Sequence, residues 1–324
     1  MKMIKTLSSL LNPIKTRLKR TQTAEEQFNI HLPATKTFDG RKSEIKIDHL
    51  NLTQISLLGH SKGGRISWQG RIGDRKVKVW QLFSIDQAKF VEFVCAQPAF
   101  SDFFPQIIAQ IDDYLVVDWI NGADLFKTKQ YARQDIIDLV AKMQVAFHRF
   151  AVPEEFANSG FDYIEHLTDR LHRFLGPIKI PPAVARLIDF VKETPLSSRP
   201  KLSHADVTPK NIISDSTSGR LKLIDNEFLT CNRCCLVDIF NTYRSIRHNQ
   251  ETARSYLAAY QENGGDLQPI LANRQFYLAL WGLRIVVTTI QGGDIKGAFS
   301  LADGMLANQF KTHPLIDDIT ALVK

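Results

Sequence analysis

The densest grouping of potentially reactive side chains is His204-Ala-Asp206-Val-Thr-Pro-Lys-Asn211, followed by Leu223-Ile224-Asp225-Asn226-Glu227. Asp206 and Asn211 stand five residues apart on what reads as one loop, and Asp225 closes a later apolar run, Leu221 to Ile224. Phosphoryl transfer asks a protein to orient a hydroxyl, accept its proton, and hold magnesium against nucleotide phosphates. Two or three oxygen-bearing side chains converging from rigid elements meet that need. Asp and Asn are common in turns, so a lone H-x-D would carry little. The three pieces in order, with apolar β-type runs between them, carry more.

A second candidate is Gly59-His60-Ser61-Lys62-Gly63, which satisfies the G-x-S-x-G pattern of serine hydrolases and would make Ser61 a nucleophile at a strand-to-helix turn. That turn needs a helix directly after the serine. Here Ile66, Trp68 and Ile72 alternate with Arg65, Ser67, Gln69 and Arg71, which is the period of a strand. A downstream acid and then a histidine are also required; His313 can be nominated, but nothing around it marks it. A Walker loop fails because Arg65 and Ile66 stand where Lys and Ser/Thr belong. Ser61, Gly63 and Gly64 would also suit a loop lying close to a phosphate chain.

The elements that must position these residues are legible in outline. Ile55 to Leu58, the alternating stretch to Ile72, a Gly73-Asp74 turn and then Val77 and Val79 predict a three-stranded antiparallel meander. A helix is expected from about Ser84 to Ala96, then short strands at Phe104 to Ala109 and Tyr114 to Trp119. From residue 122 helical spacing dominates, as in Ile136, Leu139, Val140, Met143 and Phe147, interrupted by short β-type runs between Lys201 and Leu229. The expected architecture is α+β, a small β-rich lobe followed by a larger, mainly helical one.

The chain of 324 residues carries a formal net charge of +7. Residues 1–24 hold Lys2, Lys5, Lys15, Arg17, Lys19 and Arg20 with no acid, so the remaining 300 residues are nearly neutral. A broad nucleic-acid-binding face is therefore not expected. In the same segment Ile4, Leu7, Leu11, Ile14 and Leu18 recur at helical spacing, which predicts a basic amphipathic helix interrupted near Pro13. Such a helix could rest on an anionic membrane surface, direct the chain to an organelle, or pack as an arm on its own body. No apolar run is long enough for a secretory signal core or a membrane span, so a cytoplasmic location, peripheral to a membrane if the arm binds one, is the expectation. Cys231-x-x-Cys234-Cys235 lacks the further ligands a structural zinc site needs.

The segment 204–238 resembles the aminoglycoside phosphotransferase and choline/ethanolamine kinase superfamily, relatives of the protein kinases with an H-x-D-x-x-x-x-N catalytic loop followed by an I-D-x-E metal segment. The resemblance implies a bilobal protein-kinase-like fold and an ATP- and magnesium-dependent kinase of a small-molecule hydroxyl. Asp206 would be the catalytic base, Asn211 and Asp225 magnesium ligands, and Glu227 an aid to a second metal or the substrate. His204 would brace the loop from behind, and Asp238 would stiffen it by a hydrogen bond. On this resemblance residues 1–30 form the basic tail, 31–119 the nucleotide-binding lobe, and 120–324 the helical lobe with the catalytic loop and acceptor site.

The nucleotide site would draw on the loop containing Ser61, Gly63 and Gly64, on Lys78 with Lys76 as runner-up, and on Glu92 as the lysine's ion-pair partner. The hinge from Tyr114 to Gly122, with Asp118 and Ile120, would supply backbone bonds to adenine. Ala205 replaces the H-R-D arginine, Asn226-Glu227 replaces F-G, and little chain separates Glu227 from Asp238. A small acceptor, such as an amino-alcohol, a sugar or a lipid-linked head group, follows, with Asp162, Glu165, Arg244 and Arg247 as acceptor contacts. Two other readings stay open: a catalytically silent kinase-like protein that binds nucleotide or a partner, and the hydrolase using Ser61.

Overall fold

The computed structural model describes residues 53–56, 67–72, 74–197, 201–233, 236–307 and 313–323. The basic segment 1–24, the loop with Ser61, Gly63 and Gly64, and Cys234 and Cys235 lie outside the described residues, as do the expectations attached to them. The chain divides after Trp80 into two compact units.

In the first unit, period-two alternation produces the expected meander. Strands β1 (Thr53–Ser56), β2 (Ser67–Ile72) and β3 (Arg75–Gln81) pair antiparallel in order, with Gln54 opposite Trp68 and Gln69 opposite Lys78. Val77 and Val79 are fully buried, whereas Lys76 and Lys78, pointing to the opposite face of the pleat, stay half-buried. The Lys78 ammonium lies 5.1 Å from the Trp80 ring centroid.

The second unit opens with α1 (Ile85–Cys95). Ser84 caps it from an extended conformation, its hydroxyl accepting from the Gln87 amide at 3.1 Å, and the Gln87 side chain accepts from Phe83 N–H at 2.7 Å in return. This reciprocal arrangement satisfies donors that a helix start leaves over. A hairpin follows, β4 (Ile107–Ile111) and β5 (Tyr114–Asp118), turned at Asp112 with φ 51°. β4 begins later than expected. Phe103 and Phe104 donate back to the Phe100 carbonyl, and Pro105 has no N–H to give a ladder.

Next come β6 (Gly122–Asp124), α2 (Leu125–Thr128), α3 (Gln134–Arg149), α4 (Tyr163–Leu175) and α5 (Pro182–Glu193). The strands β7 (Ser203–His204), β8 (Ile212–Asp215), β9 (Leu221–Leu223) and β10 (Leu229–Thr230) precede six helices. These are α6 (Val237–Ile246), α7 (Gln250–Glu262), α8 (Gln268–Ala272), α9 (Arg274–Gln291), α10 (Ile295–Ala307) and α11 (Pro314–Val323). β6, β8 and β9 form a three-stranded sheet, and β7 pairs with β10. β6, too short to show a period, went unread where helix was expected.

Apolar faces at helical spacing build the core of this unit: α3 packs on α7, and α9 packs on α4, α5 and α10. Phe147 of α3 stacks on Phe104 at 5.4 Å and meets Phe100 edge-on at 5.2 Å, which fastens the region before β4 to the helices. No helix among the described residues is long and apolar enough to cross a membrane. His313, nominated for a triad, is instead a helix cap: its Nδ1 accepts from Leu315 N–H at 3.1 Å and its carbonyl from Ile316 N–H at 2.9 Å, at the start of α11.

Candidate active site

The residues from His204 to Asn211 form a loop leaving β7, and the segment from Asp225 to Phe228 enters β10. Because β7 and β10 pair, with His204 opposite Leu229, the two segments are held side by side, and Ala205 N–H donates to the Phe228 carbonyl at 2.8 Å. At the far end of the loop the Ile224 amide donates to the Asn211 carbonyl at 2.8 Å. Asp206, Asn211 and Asp225 are thereby brought together by two strand pairs. A close approach supports this arrangement: Gly160, with φ 91°, bridges to Thr230, and a Cβ there would strike the Leu229 carbonyl.

His204 is fully buried. Its Nδ1 accepts from Asp206 N–H at 3.3 Å and its Nε2 faces the Asp225 carbonyl at 3.1 Å, so the Nε2–H tautomer fits both partners. Burial pushes its pKa down, against the pull of Asp206, Glu227 and Asp225. A neutral ring thus ties the loop 204–211 to the segment that begins at Asp225.

The Asn211 amide nitrogen donates to Asp206 Oδ2 at 2.8 Å and to the Asp206 carbonyl at 2.9 Å. With its NH₂ committed, the amide oxygen is the group of Asn211 that could serve a metal. Asp225 lies in the left-handed region at φ 60°, ψ 46°, a conformation that Asp tolerates better than most residues. It turns the chain out of β9, and both Asp206 and Asp225 stay half-buried. The donor set of one amide and two carboxylate oxygens fits magnesium, which takes few protein oxygens and completes its shell with phosphate and water. That set suffices although no three His, Cys, Asp or Glu side chains among the described residues converge on a metal position.

Glu227 and Asn226 are buried, and α1 reaches them. Gln87 donates to the Glu227 carbonyl at 2.8 Å, and Asn226 Nδ2 meets the Cys95 sulfur at 3.5 Å. Glu92, half-buried on the same helix, therefore belongs to an element anchored on Asn226 and Glu227. Cys95 and Cys231 are buried, and burial pushes the Cys95 thiol far above its usual range.

Asp238 corrects one expectation. Its carboxylate bonds His148 Nε2 at 2.9 Å and its neighbour's amide, Ile239 N–H, at 2.8 Å, not the catalytic loop. The loop is held from α6 by the next turn, where Asn241 donates to the Ala205 carbonyl and Thr242 to the Val207 carbonyl at 3.2 Å. Asp238 acts one step back: His148 in α3 also bonds the Tyr260 hydroxyl at 2.7 Å, locking α3, α6 and α7 together. Gln144, reaching Thr242 at 3.2 Å and Tyr256 at 2.6 Å, closes the same network. The spacing of Asp238, Asn241 and Thr242 on one helix face was the signal available for this set.

In the hinge, the Asp118 amide is spent on the Gln106 carbonyl at 3.0 Å, while Ile120 lies beyond β5 and half-buried. Among the nominated acceptor contacts, Asp162 caps α4 by accepting from Ile164 N–H at 2.9 Å and Glu165 N–H at 3.0 Å. Glu165 and Arg247 are exposed, the latter with its guanidinium 6.0 Å from the Trp281 ring centroid. Arg244 is half-buried and lies within electrostatic reach of Asp206.

Solved structures share this architecture. The choline kinase LicA from Streptococcus pneumoniae, solved with AMP, matches at 17% identity and TM-score 0.51, covering 81% of this chain and 94% of LicA. A thermostable mutant of the aminoglycoside phosphotransferase APH(4)-Ia in its apo form matches at 17% identity and TM-score 0.50, covering 82% of this chain and 98% of that one. Plasmodium vivax ethanolamine kinase matches at 13% identity and TM-score 0.49 over 81% of this chain and 82% of its own. No protein-family model and no curated sequence matches the chain. The chain has the α+β, protein-kinase-like fold of the aminoglycoside phosphotransferases and choline kinases.

Proposed function

We propose that this protein transfers the γ-phosphoryl group of ATP, with magnesium, to a hydroxyl of a small molecule. The observation that carries the reading is the fastening of Asp206 to Asn211 at 2.8 Å, with the Asn211 carbonyl bonded to the residue preceding Asp225. Asp206 would orient the acceptor hydroxyl and take its proton as the oxygen–phosphorus bond forms and the bond to the β-phosphate oxygen breaks, releasing ADP. Asn211 and Asp225 would hold the magnesium ion, which supplies charge neutralisation at the phosphates. Ser61, Gly63, Gly64 and Lys78 are assigned to the nucleotide phosphates on the resemblance, and Ile120 to adenine.

A small acceptor is supported by the short path from Glu227 to Asp238. Its first residues run directly into β10, which pairs with β7, leaving little chain with which to dock a protein. The test is ATP binding with and without magnesium to the wild type and to Asp225→Ala. Magnesium should tighten binding to the wild type, and the variant should lose that dependence; a wild type that binds no nucleotide overturns the reading.

A further inference from the structure

Arg170 of α4 and Arg244 of α6 each lie within electrostatic reach of Arg284 of α9, of Asp206 and of Tyr163. Arg284 and Tyr163 also line one small cavity with Val237, Phe240, Tyr277 and Trp281, so the same three helices pack against one another beside Arg284. All three arginines are half-buried. Arg170 bonds Gln291 through one terminal nitrogen. Yet Nε of Arg170, Nε of Arg244 and Nη1 of Arg284 are buried without a hydrogen-bond partner among the described residues.

This arrangement is costly by itself. Buried donors without partners forfeit their hydration, and like charges drawn together repel. Burial, followed by the Arg284 charge, pushes Arg244 down to about 10, which still leaves it a cation near neutrality. Asp206 offsets one charge of three and is already bonded to Asn211. An oxyanion would satisfy what remains, since guanidinium forks match carboxylate and phosphate oxygens.

We propose that the acceptor carries an oxyanion, carboxylate or phosphate, beside the hydroxyl that is phosphorylated, and that Arg170, Arg244 and Arg284 receive it. The proposal rests on the phosphotransferase reading and narrows its acceptor to hydroxylated acids or phosphorylated polyols. Cationic amino-alcohols would be repelled from such a site.

The test is calorimetric titration of the full chain, with magnesium and saturating ADP, using glucuronate, glucose 6-phosphate, glucose and choline. The anionic probes should bind at least about tenfold more tightly than glucose or choline, and the stronger of the two names the oxyanion. Arg244→Gln and Arg284→Gln should each weaken that binding roughly 10- to 100-fold, as loss of charge-assisted bonds does, with Arg244→Lys intermediate. ADP affinity and the melting temperature in each variant verify an intact fold. Anionic probes that bind no better than glucose, or bind the variants as tightly as the wild type, overturn the proposal. So does a loss of AMP-PNP affinity in the variants with acceptor binding unchanged, which would give the arginines to the nucleotide. Should the wild type bind no ADP, the phosphotransferase reading falls, and the same titrations without nucleotide decide whether the arginines form an oxyanion site.

Discussion

Asp206 and Asn211 show how much can depend on one amide group. Asn211 donates to both the carboxylate and the carbonyl of Asp206, so the carboxylate is held in one orientation, as the proposed base would need. Asp206→Asn keeps an oxygen that can accept from Asn211 but cannot take a proton. The expected result is a fall in kcat of about 10²- to 10⁴-fold, the usual weight of a general base, with nucleotide affinity and melting temperature nearly unchanged. Steady-state phosphate transfer beside nucleotide titration checks this; equal losses in both would mean that Asp206 holds the nucleotide instead. These residues were legible because their spacing lies within one loop. Gln87, which reaches the Glu227 carbonyl across 140 residues, and Arg170, Arg244 and Arg284, which come within electrostatic reach from three helices, are related only by topology. Of these, only Arg244 was nominated from the sequence, and none of the four carries a local pattern to distinguish it from an ordinary surface residue.

At the scale of elements, α6 is the bracket of the site. Asp238 turns toward His148 and the helix packing, and the loop 204–211 hangs from Asn241 and Thr242 one turn later. The resemblance pointed to Asp238 as the brace, one turn before the residues that bond the loop, because a motif gives a position in the chain and not the direction of a side chain. Asn241 is fully buried; its nitrogen donates to the Ala205 carbonyl, while its own Oδ1 has no partner among the described residues. Asn241→Ala therefore removes one bond and also one unsatisfied acceptor. The expected loss of stability is about 1 kcal/mol, at the low end for a buried hydrogen bond. Activity should fall more than that stability loss suggests, because the freed carbonyl lies next to Asp206. Urea unfolding and kcat measured on one preparation check the pair; a loss several times larger with wild-type kcat would make Asn241 a packing residue only. The β-elements teach the same lesson: β2 and β3 were long enough to show their alternation, whereas β6 and β10 exist only through their partners.

Across the whole molecule, charge and protonation state are unevenly distributed. Six of the seven net positive charges lie in residues 1–24, so the other 300 residues are close to neutral together and the response of the fold to pH comes from particular buried groups. Burial lowers the pKa of His204, and burial followed by the Arg247 charge pushes His313 down to about 4. Both rings use Nδ1 as a hydrogen-bond acceptor in the native state, so protonation opposes the fold. The unfolded chain binds these protons near pH 6.5 while the native chain refuses them. Their stabilisation is therefore complete above about pH 6.5 and declines as pH falls, for His313 until about 4. Asp215, held low by the Ser218 hydroxyl and then by the Thr217 and Ser218 amides, acts in a second window. Its contribution is present above the unfolded carboxylate range and is lost only as pH drops through its native value. Urea unfolding free energies between pH 8 and pH 4.5 should accordingly be level down to about 6.5 and then fall, before any carboxylate is engaged. His313→Asn retains an N-capping oxygen without a titrating ring, so its curve should begin lower from lost packing against Trp281 but descend less steeply below pH 6.5. A variant curve parallel to the wild type would remove His313 from this account and leave His204 as the group that sets the acid limit.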